Sequence, residues 1–260
     1  MKKYLLIFSI AAAALFAASC QKTSEGHTYI ANYFLFNGAE KVYLAVGDEY
    51  IDAGVTEMEG GGKVVTTITD MNGEEVSAVS TDTPGFFDIT YSTVNDQGWP
   101  FSMSRTVYVY DATVTETLGT FTVDCDASWC GKYTYAERVA ASVGSGMPAT
   151  TNYTIKFTQV AGNIYTCSDL LGGWYTYAQG RGPYYAANYG SSYATYFDMT
   201  GYVTLNADMT VTVLSSYIRC WGDGLDFVKN AVYDPATKTL TYDFSYASSV
   251  VVGHVEMSQN

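Results

Sequence analysis

The 260 residues are 48% hydrophobic and only 15% charged, with 13 Lys and Arg against 26 Asp and Glu, a formal net charge of −13. A surface this acidic repels phosphate backbones and argues against a nucleic-acid partner, while the apolar fraction is too high for general disorder. Tyr (24 residues), Thr, Val and Gly are abundant and Leu, Glu and Lys scarce, a composition that favours strands and turns.

Met1-Lys2-Lys3 gives a positive start, and Tyr4 to Ala18 is an almost unbroken apolar run ending in small residues. A bilayer span needs about 20 apolar residues, so the run reads as the hydrophobic region of a secretory signal, residues 1–19. Leu15-Phe16-Ala17-Ala18-Ser19-Cys20 resembles a bacterial lipobox, with Ala17 where that pattern usually has Leu. The resemblance implies lipidation of Cys20 and attachment to a membrane by acyl chains, with residues 20–27 as a polar tether. Outer-membrane lipoproteins of gut Bacteroidetes are similar in layout. Their surface-export signal is an acidic cluster after the cysteine, which Gln21-Lys22-Thr23-Ser24-Glu25 matches poorly. The expected address is the outer membrane, with exposure at the cell surface left open.

The next region, residues 28–111, carries short strand patterns divided by turn signals. Lys41 to Val46 stops at Gly47-Asp48; Val64 to Ile68 runs into Asp70-Met71-Asn72-Gly73, where Asn-Gly favours a tight hairpin. Phe86 to Tyr91 follows Thr83-Pro84-Gly85, a turn is expected at Asn95-Asp96-Gln97-Gly98, and Arg105 to Asp111 alternates between two faces. Several short strands in this length predict a β-sandwich. Gly47-Asp48-Glu49-Tyr50-Ile51-Asp52-Ala53-Gly54-Val55, Thr83 to Tyr91 and Arg105 to Asp111 resemble successive landmarks of bacterial Ig-like domains, which generally serve as spacers. The antibody-type disulfide is missing, because the region contains no cysteine. Asp52, Asp82 and Asp111 lack a dense ligand loop and read as acids in strand-end turns rather than calcium ligands.

Residues 112–118 form the expected linker and 119–260 a second β domain. Its strand candidates are Tyr153–Thr158, Asn163–Thr166, Gly201–Leu205, Thr210–Leu214, Thr239–Phe244 and Val250–Met257, with turns at Asn206-Ala207-Asp208 and Tyr233 to Lys238. Helical periodicity is confined to Tyr135–Ser142. The fold class is all-β: an Ig-like sandwich followed by an antiparallel barrel or sandwich. Tyr153-Thr154-Ile155, Ser168-Asp169-Leu170-Leu171-Gly172-Gly173-Trp174-Tyr175, Gly180-Arg181-Gly182, Trp221-Gly222-Asp223 and Tyr233-Asp234-Pro235 resemble a Bacteroidetes lipoprotein family of the DUF5012 type. That family joins an Ig-like domain to a C-terminal β domain behind a lipid anchor and implies no particular activity.

Four cysteines follow Cys20. Export would permit pairing, and Cys125, Cys130, Cys167 and Cys220 allow three connectivities, with buried free thiols as the alternative. No metal or cofactor is expected: CxxC spacing is absent, and the histidines are His27 and His254. Catalysis is not expected either. The carboxylates of the second domain sit mostly in turns, and His254, in a terminal strand, has no GxSxG nucleophile elbow to serve.

Trp174 to Tyr202 contains ten aromatic residues and, as charges, only Arg181 and Asp198. Read as a long Tyr-rich loop, it has two readings. In one, Trp174, Tyr175, Tyr177, Tyr184 and Tyr185 form a platform for a saccharide, with donors from Arg181 and a second ring and acceptor from Trp221 and Asp223. In the other, the rings plug the end of the β domain. The protein is then a lipid-anchored, non-catalytic envelope protein that binds polysaccharide, or a structural lipoprotein docking on an outer-membrane protein.

Overall fold

The computed structural model describes residues 34–57, 63–94 and 98–260. The signal segment, the tether, Cys20, His27 and most of the Asn95–Gly98 turn lie outside the described residues.

The first domain contains β1 (Phe34–Phe36), β2 (Lys41–Ala45), β3 (Val55–Glu57), β4 (Val65–Asp70), β5 (Glu75–Val76), β6 (Gly85–Val94) and β7 (Pro100–Tyr110). Five strands form a sheet in the order β2-β7-β6-β4-β5, and β1 pairs with β3 in a separate ribbon. Alternation along β6 and β7 sends Ile89, Tyr91 and Val107 to one face, where they bury against Phe34 of the ribbon. Two sheets packed face to face are the expected Ig-like sandwich. Strand β2 runs parallel to β7, and β6 and β7 form a long hairpin in register from Gly85–Val109 to Val94–Pro100.

In place of a disulfide, the sandwich is crossed by a buried arginine. Arg105 is 1% exposed, and its Nη1 lies 2.6 Å from Asp52 Oδ1. Its other nitrogens donate to three backbone carbonyls: Nε to Ala39 (2.9 Å), and Nη2 to Asn37 (2.9 Å) and Gly54 (3.3 Å). Asp52 also accepts from the hydroxyls of Tyr91 (2.5 Å) and Tyr50 (3.1 Å) and from the Gly54 amide (3.1 Å). Asp82 accepts from Ser80, and Asp111 from the amide and hydroxyl of Thr113, as turn acids do.

The second domain is a curled antiparallel sheet. Its strands are β8 (Thr120–Val123), β9 (Trp129–Cys130), β10 (Tyr133–Thr134), β11 (Thr154–Ala161), β12 (Ile164–Cys167), β13 (Met199–Leu205), β14 (Val211–Ile218), β15 (Leu225–Asp234), β16 (Thr239–Tyr246) and β17 (Val251–Gln259). The main path runs β15-β16-β17-β8-β11-β12-β13-β14, with β9 and β10 also on the edge of β17. The two end strands, β14 and β15, touch through bridges at Thr210–Val232 and Ile218–Asp223, so the sheet is a half-barrel curled around its core. Helix α1 (Tyr135–Gly144) starts with a capping box between Thr134 and Glu137.

The segment read as a long loop is largely helical. It holds a π-helical turn (Trp174–Ala178), helix α2 (Arg181–Tyr189) and a 3-10 turn (Ser191–Tyr193). Gly180 in the left-handed region precedes α2, and Pro183 falls in its first turn, where a missing amide costs no helical bond. Those residues looked like turn signals because they begin a helix. Strand β15 also starts well before the Tyr233 turn that the sequence marks.

The domains share an apolar contact. Tyr108, Phe86 and Tyr110 of the first pack with Ala161, Ile164, Leu214 and Tyr202 of the second. Asn163 reinforces it: its Oδ1 accepts from the Asp111 amide (2.8 Å), while its Nδ2 donates to Thr204 and Leu205. Within residues 112–118, Leu118 and Val114 pack on the second domain's core.

Candidate functional site

The site begins at the turn Asp169–Gly173, which launches the π-helical turn. Asp169 accepts from the amides of Leu171 (2.9 Å), Gly173 (3.1 Å) and Met199 (3.1 Å), tying the turn to the start of β13. Three buried tyrosines bind successive carbonyls of the same turn. Tyr242 donates to Leu170 (2.9 Å), Tyr135 to Leu171 (2.6 Å) and Tyr153 to Gly172 (2.9 Å). Gly173 has φ +82° and lies so close to the Tyr153 ring that a Cβ would fall 2.3 Å from it, so only glycine fits. The Ser-Asp-Leu-Leu-Gly-Gly-Trp motif is therefore a pinned structural turn. It fixes where the next residues point.

Those residues build a ring cluster at the mouth of the half-barrel. Tyr175 meets Trp221 edge-on at 5.0 Å, Phe197 lies 6.0 Å from Trp221, and Trp221 lies 6.0 Å from Tyr246. The Arg181 guanidinium stands over Tyr175 (5.2 Å), Phe197 (5.5 Å) and Trp221 (5.9 Å), with its Nε bonded to Gln179 Oε1 at 2.8 Å. From Phe197 the cluster continues through Tyr185 at 4.9 Å to Tyr184 and Tyr189, and through Tyr196 at 5.5 Å to Tyr193. Its outer rings face solvent: Trp221 is 47% and Tyr189 63% exposed. Asp223 borders it and accepts from the Tyr246 hydroxyl at 2.8 Å.

The structure thus brings together Tyr175, Arg181, Tyr184, Tyr185, Trp221 and Asp223, and places two other candidates elsewhere. Trp174 is 6% exposed and packs in the core against Tyr135 at 5.1 Å. Tyr177 stacks flat on Tyr153, with centroids 4.5 Å apart. One residue on from each other in a helical turn, Trp174 and Tyr175 point in different directions, which composition cannot show. Sequence reasoning missed Tyr246, hidden in the alternation of β16, and Arg219, whose guanidinium lies 5.5 Å from the Tyr196 ring. Arg219 stands two residues before Trp221, and that adjacency was the available signal.

Other reactive groups are engaged structurally. The four cysteines are free thiols; burial pushes Cys130 up to about 12 and Cys220 up to about 11, the latter despite Arg181 nearby, so neither is a poised thiolate. His254 Nδ1 lies 2.7 Å from Asp243 Oδ1, and its ring stacks against Trp129. Asp226 accepts from the Ser248 and Ser249 amides and the Ser245 hydroxyl. Among the described residues, no group of three or more His, Cys, Asp or Glu could hold a metal ion.

Behind the π-helical turn lie two buried carboxyls, Asp169 and Asp198, the latter accepting from the Thr176 hydroxyl. Burial, then the neighbouring Asp198, raises Asp169 in spite of its three amide donors; burial likewise raises Asp198 against the Thr176 bond. A carboxyl raised in the folded state binds protons that the unfolded chain has lost. Its contribution therefore falls as pH climbs from the ordinary value of 3.8 towards about 8. Asp198→Asn, which removes one charge and keeps an acceptor for Thr176, is expected to flatten that decline and to stabilise the protein by about 1 kcal/mol at pH 8. Urea midpoints at pH 5 and pH 8 check this; a variant as pH-dependent as the wild type contradicts it.

With the geometry in place, comparison with known proteins places the chain. A family model for the Ig-like domain of bacterial surface proteins matches residues 34–109. A second model, for a C-terminal domain, matches residues 122–259, more than half of the chain. The chain belongs to this second family. The pairing of domains expected from the sequence is thereby borne out. The comparison with curated proteins returns no match. Among solved structures, the lipoprotein BT2262 from Bacteroides thetaiotaomicron is 28% identical, over 88% of this chain and 100% of that one, with a TM-score of 0.40.

Proposed function

We propose that the protein is a lipid-anchored envelope protein that captures saccharide without chemistry, at the ring cluster of its second domain. The observation that carries this reading is the exposure of Trp221, Tyr184 and Tyr189 on a cluster whose inner rings and Arg181 are fixed from below. Flat amphipathic rings receive the C–H faces of a sugar at low entropic cost, and a pre-ordered platform loses little freedom on binding. The π-helical turn beneath it belongs to a class of irregularity frequent at functional sites.

The Ig-like module and its apolar junction with the second domain suit a stiff spacer that holds the platform away from the membrane. Cys20 would carry the lipid, in the outer membrane; the mass of the N-terminal peptide of membrane-extracted protein tests the acylation. The non-catalytic reading rests on the carboxyls. Asp223 and Asp226 are occupied by hydroxyl and amide donors, and Asp169 and Asp198 are buried behind the turn. The test of saccharide capture is a screen of the full-length chain, in detergent, against poly- and oligosaccharides, with Trp221→Ala as the control. Saturable binding lost in the variant supports capture; silence throughout favours the other sequence reading, a structural lipoprotein docking on an outer-membrane protein.

A further inference from the structure

Arginine is scarce in this chain: there are Arg105, Arg138, Arg181 and Arg219. Two of these four stand on the one ring cluster. Arg181 lies over Tyr175, Phe197 and Trp221, and Arg219 over Tyr196, whose ring adjoins Phe197. Acids outnumber bases two to one, yet neither arginine forms an ion pair; among the described residues the pairs are Arg105–Asp52 and His254–Asp243. Asp223, the acid bordering the cluster, is turned to the Tyr246 hydroxyl.

The manner in which Arg181 is held matters. Its Nε is bonded to Gln179 and the rings cover the guanidinium, which fixes the plane of the group. Among the described residues its two terminal nitrogens make no hydrogen bond. A ring stabilises a cation through its π face but supplies no acceptor for the N–H edge. That edge is a rigid fork matched to the two oxygens of a carboxylate or a sulfate. In a protein with a net charge of −13, an unneutralised fork held over two buried rings beside the exposed Trp221 is a poor accident and a good receptor.

We propose that the cluster selects acidic saccharides. The Arg181 fork pairs with a carboxylate or sulfate on the sugar, Trp221 stacks on the ring that bears it, and Arg219 adds positive potential at the far side of the cluster. This rests on the saccharide reading above and narrows it to one ligand class.

The test is calorimetric titration of the full-length chain in detergent with four probes: oligogalacturonate, the same oligomer fully methyl-esterified, chondroitin sulfate oligosaccharide, and its desulfated form. The expected result is binding of at least one acidic probe about tenfold or more tighter than its matched control, weakening as salt is raised. Preference for the uronate over its ester assigns the carboxylate as the ligand group; preference for the sulfated over the desulfated chain assigns the sulfate. Arg181→Gln is expected to abolish the preference, and Arg181→Lys, which keeps the charge but not the fork, to restore only part of it. Arg219→Gln, a solvent-facing change, should reduce acidic binding severalfold without loss of folding. Equal affinity for charged and uncharged partners, lost in Trp221→Ala, overturns the acidic selectivity and leaves saccharide capture standing. Acidic binding that persists in Arg181→Gln overturns the assignment of the fork. No binding to any of the four overturns the proposal, and the broader screen then decides whether saccharide capture falls with it.

Discussion

Arg105→Ala is expected to unfold the Ig-like domain at or near room temperature. The change removes a side chain that is 1% exposed and takes a donor from the carbonyls of Asn37 and Ala39, while the Gly54 carbonyl keeps the Asn37 amide (3.1 Å). It also leaves the Asp52 carboxylate without its cation. Asp52 is 31% exposed, so the cost comes mainly from the void left by the Arg105 side chain and its lost charge-assisted hydrogen bonds, about 3 kcal/mol, a large part of the stability of a domain this small. Arg105→Lys keeps the charge but reaches fewer of the five acceptors, which include the Tyr91 hydroxyl, and should lose more than half as much. Burial acts to raise Asp52, but the bonds from Tyr91, Gly54 and Tyr50 and the charge of Arg105 outweigh it and hold the group below its ordinary value. A depressed carboxyl contributes stability above the unfolded value of 3.8 and loses it as pH falls through the folded one, so the domain should weaken in acid. Circular dichroism melts of Arg105→Ala and Arg105→Lys check the order. An alanine variant melting within a few degrees of the wild type would show that the network is dispensable.

The second large effect is at Trp174. Its ring is 6% exposed, lies against Tyr135 and starts the π-helical turn, whose end is tied back by the Gln179 amide on the Trp174 carbonyl. Trp174→Ala should open a cavity in the core of the second domain and cost about 3–5 kcal/mol. Any loss of ligand binding in that variant would follow from displacement of Tyr175 and Arg181, not from a lost contact. Trp221→Ala makes the contrast, because a ring 47% exposed should cost about 0.5 kcal/mol. Thermal midpoints of the two variants separate them. If the Trp221 variant proves the less stable, the division between core ring and surface ring is wrong.

How much of this could be read from the sequence depends on which physical signal each feature leaves. Strands announced themselves because period-two alternation and Asn-Gly or Asx turns are local, and β2, β4, β13, β14 and β17 fall where the patterns put them. Helix α2 was hidden because Gly180, Gly182 and Pro183 resemble a loop, although the same residues are permitted at a helix start. The abundance of tyrosine had a double meaning. Tyr135, Tyr153 and Tyr242 hold buried carbonyls, whereas Tyr184, Tyr185 and Tyr189 belong to the open cluster. The two uses share a composition and differ only in burial, which long-range pairing of β16, β17 and β8 decides. For the same reason Tyr246 and Arg219 went unnoticed while Arg181 and Trp221 stood out beside glycines.

The central claim is that the exposed rings around Trp221, and not the buried rings beneath them, form a saccharide platform. The most direct measurement is the affinity of wild type and Trp221→Ala for the tightest saccharide found in the screen, taken with both thermal midpoints. The account predicts that affinity falls at least about tenfold while the midpoint stays within a few degrees. Undiminished binding by a folded Trp221→Ala would contradict it.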